Sequence, residues 1–176
     1  MVKDAISVAW WGYMDDWRNF KKCISSLQGG GYGFESYSAG TRLGFSVYNL
    51  NSSNTATVVR SYIYLSSVTA NCWHHFVGTF DGNNVNLYKD GKLVNSTTAL
   101  DNKIVYNETN GLFIGAEAGD SATVPAEWVS NMDPIKISDF RIYSTALTEN
   151  QVKELYNTSM AIDANGNIFA RELVEE

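Results

Sequence analysis

The clearest alternation of apolar and polar positions lies between Cys72 and Val94. Neighbouring residues in an extended chain face opposite sides, and aromatic, histidine and small residues alternate in this way over positions 73–80. An Asp-Gly pair follows at Asp81, and a second pair follows the next apolar run at Asp90. Asp-Gly between alternating runs is the strongest short-range signal of a β-hairpin. The stretch therefore predicts consecutive antiparallel strands joined by tight turns.

Similar short runs recur along the rest of the chain. Residues 5–14 are apolar on both faces, which is typical of an inner strand that is covered on two sides. Further strand-like runs, separated by turns rich in Gly, Asn and Ser, lie at 23–27, 32–37, 42–48, 57–65, 112–116 and 134–143. Residues 49–54 form a polar stretch that predicts a loop.

One helix is predicted near the end of the chain. Thr148 and Gln151 match the capping box, in which a hydroxyl and an amide each satisfy a free backbone N–H. Apolar residues then recur at helical spacing, which predicts a helix over 149–156. After it, Asn165-Gly166 between two apolar pairs predicts a C-terminal hairpin or edge strand over 161–176, which we assign to the same domain as residues 1–160.

Many short strands and a single helix predict an all-β protein. Aromatic residues make up 13% of the chain, and 14 Gly against 2 Pro fit a protein with many turns. We therefore expect an antiparallel two-sheet jelly-roll sandwich with one short C-terminal helix.

The charge of the chain limits the kinds of partner that it can bind. The net charge is −6 and Lys and Arg do not cluster, whereas phosphate backbones and anionic membranes require several neighbouring cations. We expect no nucleic-acid partner, and the absence of an apolar run of roughly 20 residues predicts no membrane insertion.

Cys23 and Cys72 could form one disulfide, but the chain has no spaced cysteine framework, which favours free thiols.

Four blocks of the sequence resemble those of a known family. They are SVAWWGYM from Ser7, CISSLQGGGYGFES from Cys23, WHHFVGTFDG from Trp73 and ISDFRIYSTALTENQVKELYN from Ile137. In order and spacing they are similar to laminin-G-like domains of the concanavalin A-like lectin and glucanase superfamily. The N-terminal strand that usually opens such domains is missing. The closing block and the tail that follows also look like the versions carried by phage virion proteins.

The resemblance implies a jelly-roll domain that usually binds glycans or proteins, and that is catalytic in some relatives and structural in others. Because a fold does not define a function, three hypotheses remain open. The first is a non-catalytic recognition module for a glycan or surface polysaccharide on a virion or cell surface. The second is a structural or decorative domain of a phage tail, fibre or capsid that contacts other virion proteins. The third is a glycosidase relative. The resemblance favours an extracellular or virion-surface location within a longer protein.

Catalytic motifs are missing from the chain. Glycoside hydrolysis uses two carboxylates about 5–9 Å apart, and glucanase relatives supply them as E-x-D-x-E, which does not occur here. His74 and His75 are adjacent, so a strand directs them to opposite faces and they cannot share one metal ion. Cys72 lies beside His74 without an evident orienting partner. The sequence therefore predicts a binding protein and no enzyme.

Two tryptophans lie in polar segments that offer no strand to bury them. Trp17 follows Asp15 and Asp16, and Trp128 follows Glu127. An aromatic ring with flanking acceptors suits a sugar, which offers one apolar face and several hydroxyls. These five residues are candidate ligand contacts. The alternative for each tryptophan is that it covers the core.

A second candidate platform lies on the strand predicted at 57–65, where Arg60, Tyr62 and Tyr64 share one face. Calcium is a candidate cofactor, because carboxylates in loops supply the hard oxygen ligands that this ion prefers. The candidate calcium ligands are Asp15, Asp16, Glu117 and Asp120. The alternative is that these carboxylates are simply solvated.

Overall fold

The computed structural model describes residues 4–20, 22–27, 30–106, 111–115, 135–159, 161–162 and 168–169. Their strands form two antiparallel five-stranded sheets and one small two-stranded sheet. This architecture, with one α-helix in the described part of the chain, confirms the predicted all-β jelly-roll sandwich. No helix among the described residues has the length and apolar character to cross a membrane.

The elements follow one another in the order that the sequence predicts. They are β1 (Ile6–Tyr13), β2 (Lys22–Ser25), β3 (Tyr32–Tyr37), β4 (Arg42–Leu50), β5 (Ala56–Tyr64), β6 (Trp73–Phe80), β7 (Asn84–Lys89), β8 (Lys92–Thr98), β9 (Phe113–Ile114), β10 (Lys136–Tyr143), α1 (Glu149–Thr158), β11 (Ala161–Ile162) and β12 (Ile168–Phe169). The first sheet has the order β10-β1-β6-β7-β8, and the second has the order β5-β4-β3-β2-β9. Strands β11 and β12 pair with each other.

Both Asp-Gly pairs form the predicted hairpin turns. Phe80 is opposite Val85 across the first turn, and Lys89 is opposite Lys92 across the second. In the second turn Asp90 and Gly91 both have positive φ angles, of 51° and 75°, as the tight primed turns require. The turn residues therefore set the register of three consecutive strands.

The core lies between the inner faces of the two sheets and is largely aromatic. The Trp10 ring of β1 stacks on Phe76 of β6 at 5.0 Å between centroids and meets Phe34 of β3 edge-on at 5.4 Å. Gly78 of β6 faces the Phe45 ring so closely that a Cβ atom there would overlap it. Glycine at this position therefore lets the Phe45 ring of the second sheet lie directly against the backbone of β6.

Trp17 belongs to this core, which corrects its assignment as a ligand contact. Its side chain is 1% exposed, and its ring lies 5.3 Å from Phe76 and 6.2 Å from Phe20 between centroids. Asp16 caps the short 3-10 helix Trp17–Asn19. One tight turn directs the Trp17 side chain inward while Arg18 and Asn19 stay exposed. Because the neighbours of Trp17 in the sequence are polar, the sequence pattern did not indicate that its side chain is buried.

The structure differs from the sequence prediction at a second place, around the buried residue Asn49. The loop predicted at 49–54 begins two residues too early, because β4 continues through Leu50. Asn49 is completely buried, and its amide nitrogen donates to the Lys103 carbonyl at 2.8 Å. Its side-chain oxygen accepts the Leu100 amide at 3.2 Å. A fully bonded amide can occupy a core position that a pattern of polarity assigns to solvent.

Helix α1 covers the outer face of the first sheet. The capping box is present as predicted: Thr148 Oγ1 accepts the Gln151 amide and the Gln151 side chain accepts the Thr148 amide. Val152 and Leu155 pack into a second apolar cluster with Ala9, Val77 and Tyr88. The helix ends at Thr158, two residues beyond the prediction. Buried Trp11 Nε1 donates to Ser159 Oγ at 3.0 Å, which ties the end of the helix to β1.

His75 lies beneath this helix. It is 1% exposed, between the rings of Trp11 at 5.1 Å and Tyr156 at 5.9 Å. Its Nδ1 atom has no hydrogen-bond partner among the described residues. Burial lowers the pKa of His75 to about 4, so the ring is neutral at neutral pH.

Replacing Trp17 by alanine should lower the free energy of unfolding by about 3–5 kcal/mol, because the substitution leaves a large cavity in the aromatic core. Urea denaturation followed by circular dichroism measures the loss. Trp17→Phe, which keeps an aromatic ring, should lose less. A Trp17→Ala protein as stable as the parent would contradict the buried placement.

Stability should fall as the pH is lowered from about 6.5 to about 4. In this range the unfolded chain binds a proton at His75, whose ordinary pKa is 6.5, while the folded protein does not. The contribution of this residue should amount to about 3 kcal/mol over the whole interval. Urea midpoints between pH 7 and pH 4 test this. His75→Phe should flatten the profile, and an identical pH dependence in this variant would disprove the assignment.

Candidate functional site

Four predicted site residues lie outside the described residues, so their roles remain predictions: Trp128, Glu127, Glu117 and Asp120. Trp17 is buried, as described above, and Asp15 is exposed.

Asp16 forms an ion pair with Arg18, and its predicted role as a ligand contact stays a prediction. Its Oδ1 atom accepts the Arg18 side chain at 2.9 Å, and its Oδ2 atom accepts the same guanidinium at 2.7 Å. These bonds, with a further bond from the Arg18 amide, lower the pKa of Asp16. Within the described ranges, no three His, Cys, Asp or Glu side chains are grouped to hold a metal ion. The calcium hypothesis therefore remains a prediction that depends on residues beyond those ranges.

The second predicted platform is assembled, and it is larger than the sequence indicates. Val59 and Ser61 of β5 point into the sandwich, so Arg60, Tyr62 and Tyr64 face outward. The register places Arg42 of β4 beside both Tyr64 of β5 and Tyr37 of β3. We call this group the Arg42 platform, and its members are Tyr37, Arg42, Arg60, Tyr62 and Tyr64.

The guanidinium of Arg42 is at the centre of the platform. Its Cζ atom lies 4.3 Å from the centroid of the Tyr62 ring, 5.1 Å from that of Tyr64 and 5.7 Å from that of Tyr37. Its Nη2 atom donates to the Tyr64 hydroxyl at 3.2 Å. Hydrogen bonding to Tyr37, and also to Tyr64, raises the pKa of Arg42. Three rings therefore hold one cation in a fixed position.

The tyrosine rings also support one another. Tyr62 meets Tyr37 at 5.7 Å and 84°, and it meets Tyr64 at 5.9 Å and 89° between ring planes. Gly44 lies opposite Tyr62 in the neighbouring strand, where a Cβ atom would come within 2.9 Å of the Tyr37 ring. The absence of a side chain at this position leaves room for the rings to meet above β4.

Arg60 is held differently from Arg42. Its Nε atom donates to Glu35 Oε1 at 2.9 Å, and the same oxygen accepts Ser46 Oγ at 2.8 Å. Glu35 is 6% exposed, so the carboxylate of this ion pair is nearly buried, whereas 33% of the Arg60 side chain is exposed. The Arg60 guanidinium also lies 5.1 Å from the Tyr37 ring. Arg60 therefore anchors one side of the platform, and its charge is neutralised by Glu35.

The platform is accessible to a ligand. Tyr64 is 51% exposed, and Tyr37, Arg42 and Tyr62 are partly exposed. Alternation along β5 identified Arg60, Tyr62 and Tyr64 from the sequence. Arg42 and Tyr37 were missed because they reach the platform through pairing between strands. Their positions on either side of the turn at 38–41 were the signal that could have revealed them.

A second cluster gives His74 the orienting partner that the sequence lacked. His74 Nδ1 lies 2.8 Å from Asp90 Oδ2, and Nε2 lies 3.0 Å from the Thr69 carbonyl and 3.3 Å from Cys72 Sγ. Asp90 reaches His74 because the β7–β8 turn folds back towards the start of β6, where Asp90 also accepts the His75 amide at 3.0 Å.

The charges in this cluster do not activate the cysteine. Cys72 is a free thiol. Burial raises its pKa, and the negative charge of Asp90 raises it further, whereas an activated nucleophile needs a lowered pKa. Burial would also raise the pKa of Asp90, but hydrogen bonds from His74, Lys89 and the His75 amide outweigh it and lower the value to about 2. The arrangement anchors a hairpin turn.

Comparison with known proteins identifies the family. A model of the concanavalin A-like lectin/glucanases superfamily, of the laminin-G type, matches residues 1–153. A search of curated proteins finds no matching sequence.

Solved structures share the fold at low sequence identity. The binding domain of paraclostridial mosquitocidal protein 1 aligns with a TM-score of 0.63 and 15% identity, over 92% of this chain and 40% of that one. A SAP-like pentraxin from Limulus polyphemus gives 0.60 and 15%, over 89% and 71% of the two chains. The binding domain of botulinum neurotoxin DC in complex with SialylT gives 0.57 and 19%, over 94% and 39%.

This chain thus spans about two fifths of each toxin binding domain and most of the pentraxin. At these identities the likeness concerns the fold alone, and it agrees with the two-sheet sandwich described above. The family match covers nearly the whole chain. The protein belongs to the laminin-G-like family of the concanavalin A-like lectin/glucanases superfamily.

Proposed function

We propose that the protein is a non-catalytic recognition module that binds carbohydrate at the Arg42 platform. The observation that carries this proposal is the grouping of three tyrosine rings and two guanidinium groups on one accessible sheet face. A sugar ring has apolar faces that stack on aromatic rings. Its hydroxyls pair with the N–H and O–H groups at the edges of the same side chains. The platform offers both kinds of contact within a few ångströms.

The structural neighbours support a binding role. Those with the same fold include toxin binding domains, of which one is in complex with SialylT and another with rat synaptotagmin II. The chain spans only 39% of each of these two chains, so their partners suggest a class of function for this protein without locating a site.

The carboxylates near the platform favour binding over hydrolysis. Glu35 is the single carboxylate that contacts the platform among the described residues, and it is bonded to Arg60 and Ser46. Hydrolysis of a glycosidic bond normally requires two carboxylates, one on each side of that bond. A platform with one neutralised carboxylate lacks the second group, and this argues against the glycosidase alternative.

The biological setting rests on the sequence resemblance. A position on a cell surface or a virion surface would expose the platform to glycans or polysaccharides of another surface. Tyrosine and arginine also dominate the energetics of protein interfaces. A protein of the same virion or cell surface is therefore the second candidate partner, in keeping with the structural alternative.

Screening on a glycan array, with and without calcium, should identify a bound glycan class. Tyr64→Ala should then weaken binding of that glycan about tenfold, equivalent to about 1.4 kcal/mol, because it removes a stacking surface. Its melting temperature should hardly change, because half of the Tyr64 side chain is exposed. Surface plasmon resonance measures the affinities.

Tyr13→Ala is a matched control, because Tyr13 also lies beside a cation, with Lys136 Nζ 4.7 Å from its ring centroid, but on the other sheet. It should bind the glycan like the parent protein. Failure to bind any glycan in either condition would overturn the proposed function. Unchanged binding by Tyr64→Ala would move the site away from the platform, and release of reducing sugar would support the glycosidase alternative.

A further inference from the structure

Arg42 differs from every other arginine that the structure describes. Arg18 pairs with Asp16 at 2.7 Å, Arg60 pairs with Glu35 at 2.9 Å, and Arg141 pairs with Asp139 at 2.7 Å. Arg42 contacts tyrosine rings and hydroxyls, and within the described ranges no carboxylate lies at ion-pair distance from it. The platform therefore contains one cation whose charge these residues leave uncompensated.

The surroundings of Arg42 fix its guanidinium in place. The rings of Tyr62 and Tyr64 both lie within about 5 Å of it, and Nη2 donates to the Tyr64 hydroxyl. The Nε atom is enclosed and has no acceptor among the described residues. The hydroxyls that the guanidinium contacts are neutral, so none of them replaces an anion. A long side chain held in this way loses little further freedom when a ligand binds.

We infer that the ligand of the Arg42 platform is an acidic sugar, whose carboxylate binds the guanidinium of Arg42 while its ring stacks on Tyr64 or Tyr62. This inference rests on the proposed function and names its substrate class. The planar fork of a guanidinium matches a carboxylate, and such charge-assisted pairs are about twice as strong as neutral hydrogen bonds.

The charge of the whole chain limits the ligand to a small number of negative groups. The net charge is −6, so a densely charged polyanion is repelled by most of the molecule. One unpaired guanidinium beside a neutralised Arg60–Glu35 pair can accommodate one carboxylate. A sugar with a single acidic group fits this arrangement, and a heavily sulfated polysaccharide does not.

A second basic region of the surface provides the competing site. A cavity of about 490 Å³ beside the β7–β8 turn is lined by Lys89 and Lys92, among others. Lys89 Nζ lies 2.6 Å from Asp90, so its charge is already paired. Lys92 is exposed and shares no ion pair with a described residue. Lys92→Ala is therefore a matched control that also removes one unpaired cation.

The test compares three probes by isothermal titration calorimetry: sialyllactose, the same trisaccharide with its carboxylate reduced to an alcohol, and sulfated lactose. Sialyllactose should bind at least about tenfold more tightly than its reduced form. Arg42→Gln should abolish this preference, so that this variant binds sialyllactose and its reduced form with equal affinity. Arg42→Lys, which keeps the charge without the planar fork, should retain part of the preference, and Lys92→Ala should retain all of it.

Each outcome separates the inference from the proposed function. Equal binding of sialyllactose and its reduced form would overturn the acidic-sugar inference and leave carbohydrate binding intact. Equal binding of sulfated lactose would overturn the specificity for a carboxylate. A preference that survives in Arg42→Gln but not in Lys92→Ala would place the anion in the competing cavity. Binding of none of the probes, nor of any glycan on the array, would overturn both proposals. Melting temperatures of the variants show whether each remains folded.

Discussion

The structure depends on one constraint, which is that the aromatic side chains of both sheets must meet between them. Phe34, Phe45 and Phe76 are completely buried, and Phe45 lies against the backbone of Gly78, where no larger residue fits. Because side chains alternate along a strand, fixing these inward positions also fixes the outward ones, and a slip by one residue would exchange the two sets. Burial of Phe45 thus determines that Arg42 faces solvent, since the two residues differ by an odd number of positions along β4. The surface chemistry is in this sense a consequence of the core.

The outer faces of the two sheets differ in what lies against them. On the first sheet, Val152 and Leu155 of α1 pack on Ala9 and Val77, and Trp11 donates a buried hydrogen bond at the end of the helix. The helix therefore covers the part of this face that lies over β1, β6 and β7. On the second sheet, Tyr64 remains half exposed and the guanidinium of Arg42 lies among rings. The helix packs on one face of the sandwich, and the Arg42 platform lies on the other.

The sequence predicts those features that depend on local interactions. Strand alternation and the two Asp-Gly pairs predict the hairpins, and Thr148 with Gln151 predicts the start of the helix, because each signal involves residues close in the chain. Trp17 and Asn49 were misassigned because burial depends on contacts with distant residues: Phe76 for the first, and Leu100 and Lys103 for the second. Part of the Arg42 platform was visible in the alternation of β5. Its central residue was not, because only the pairing of β4 with β5 brings Arg42 to Tyr62 and Tyr64. The ligand roles suggested for Trp128 and Glu127 concern residues outside the described ranges and stay predictions.

The acidic character of the chain also affects how the platform can recognise a ligand. With a net charge of −6, the long-range field does not attract anions, and at physiological ionic strength it is screened beyond about 8 Å. An anion must therefore gain its binding energy from contacts formed at the platform itself. Stacked tyrosines lower the local exposure of the guanidinium to water, which strengthens a pair formed there relative to a pair on an open surface. The pairing of Arg60 with Glu35 removes a second free cation, so the site offers one charge at one position. Such a surface favours a ligand that places a single negative group beside a ring of matching size, and it gains its selectivity from geometry more than from charge density.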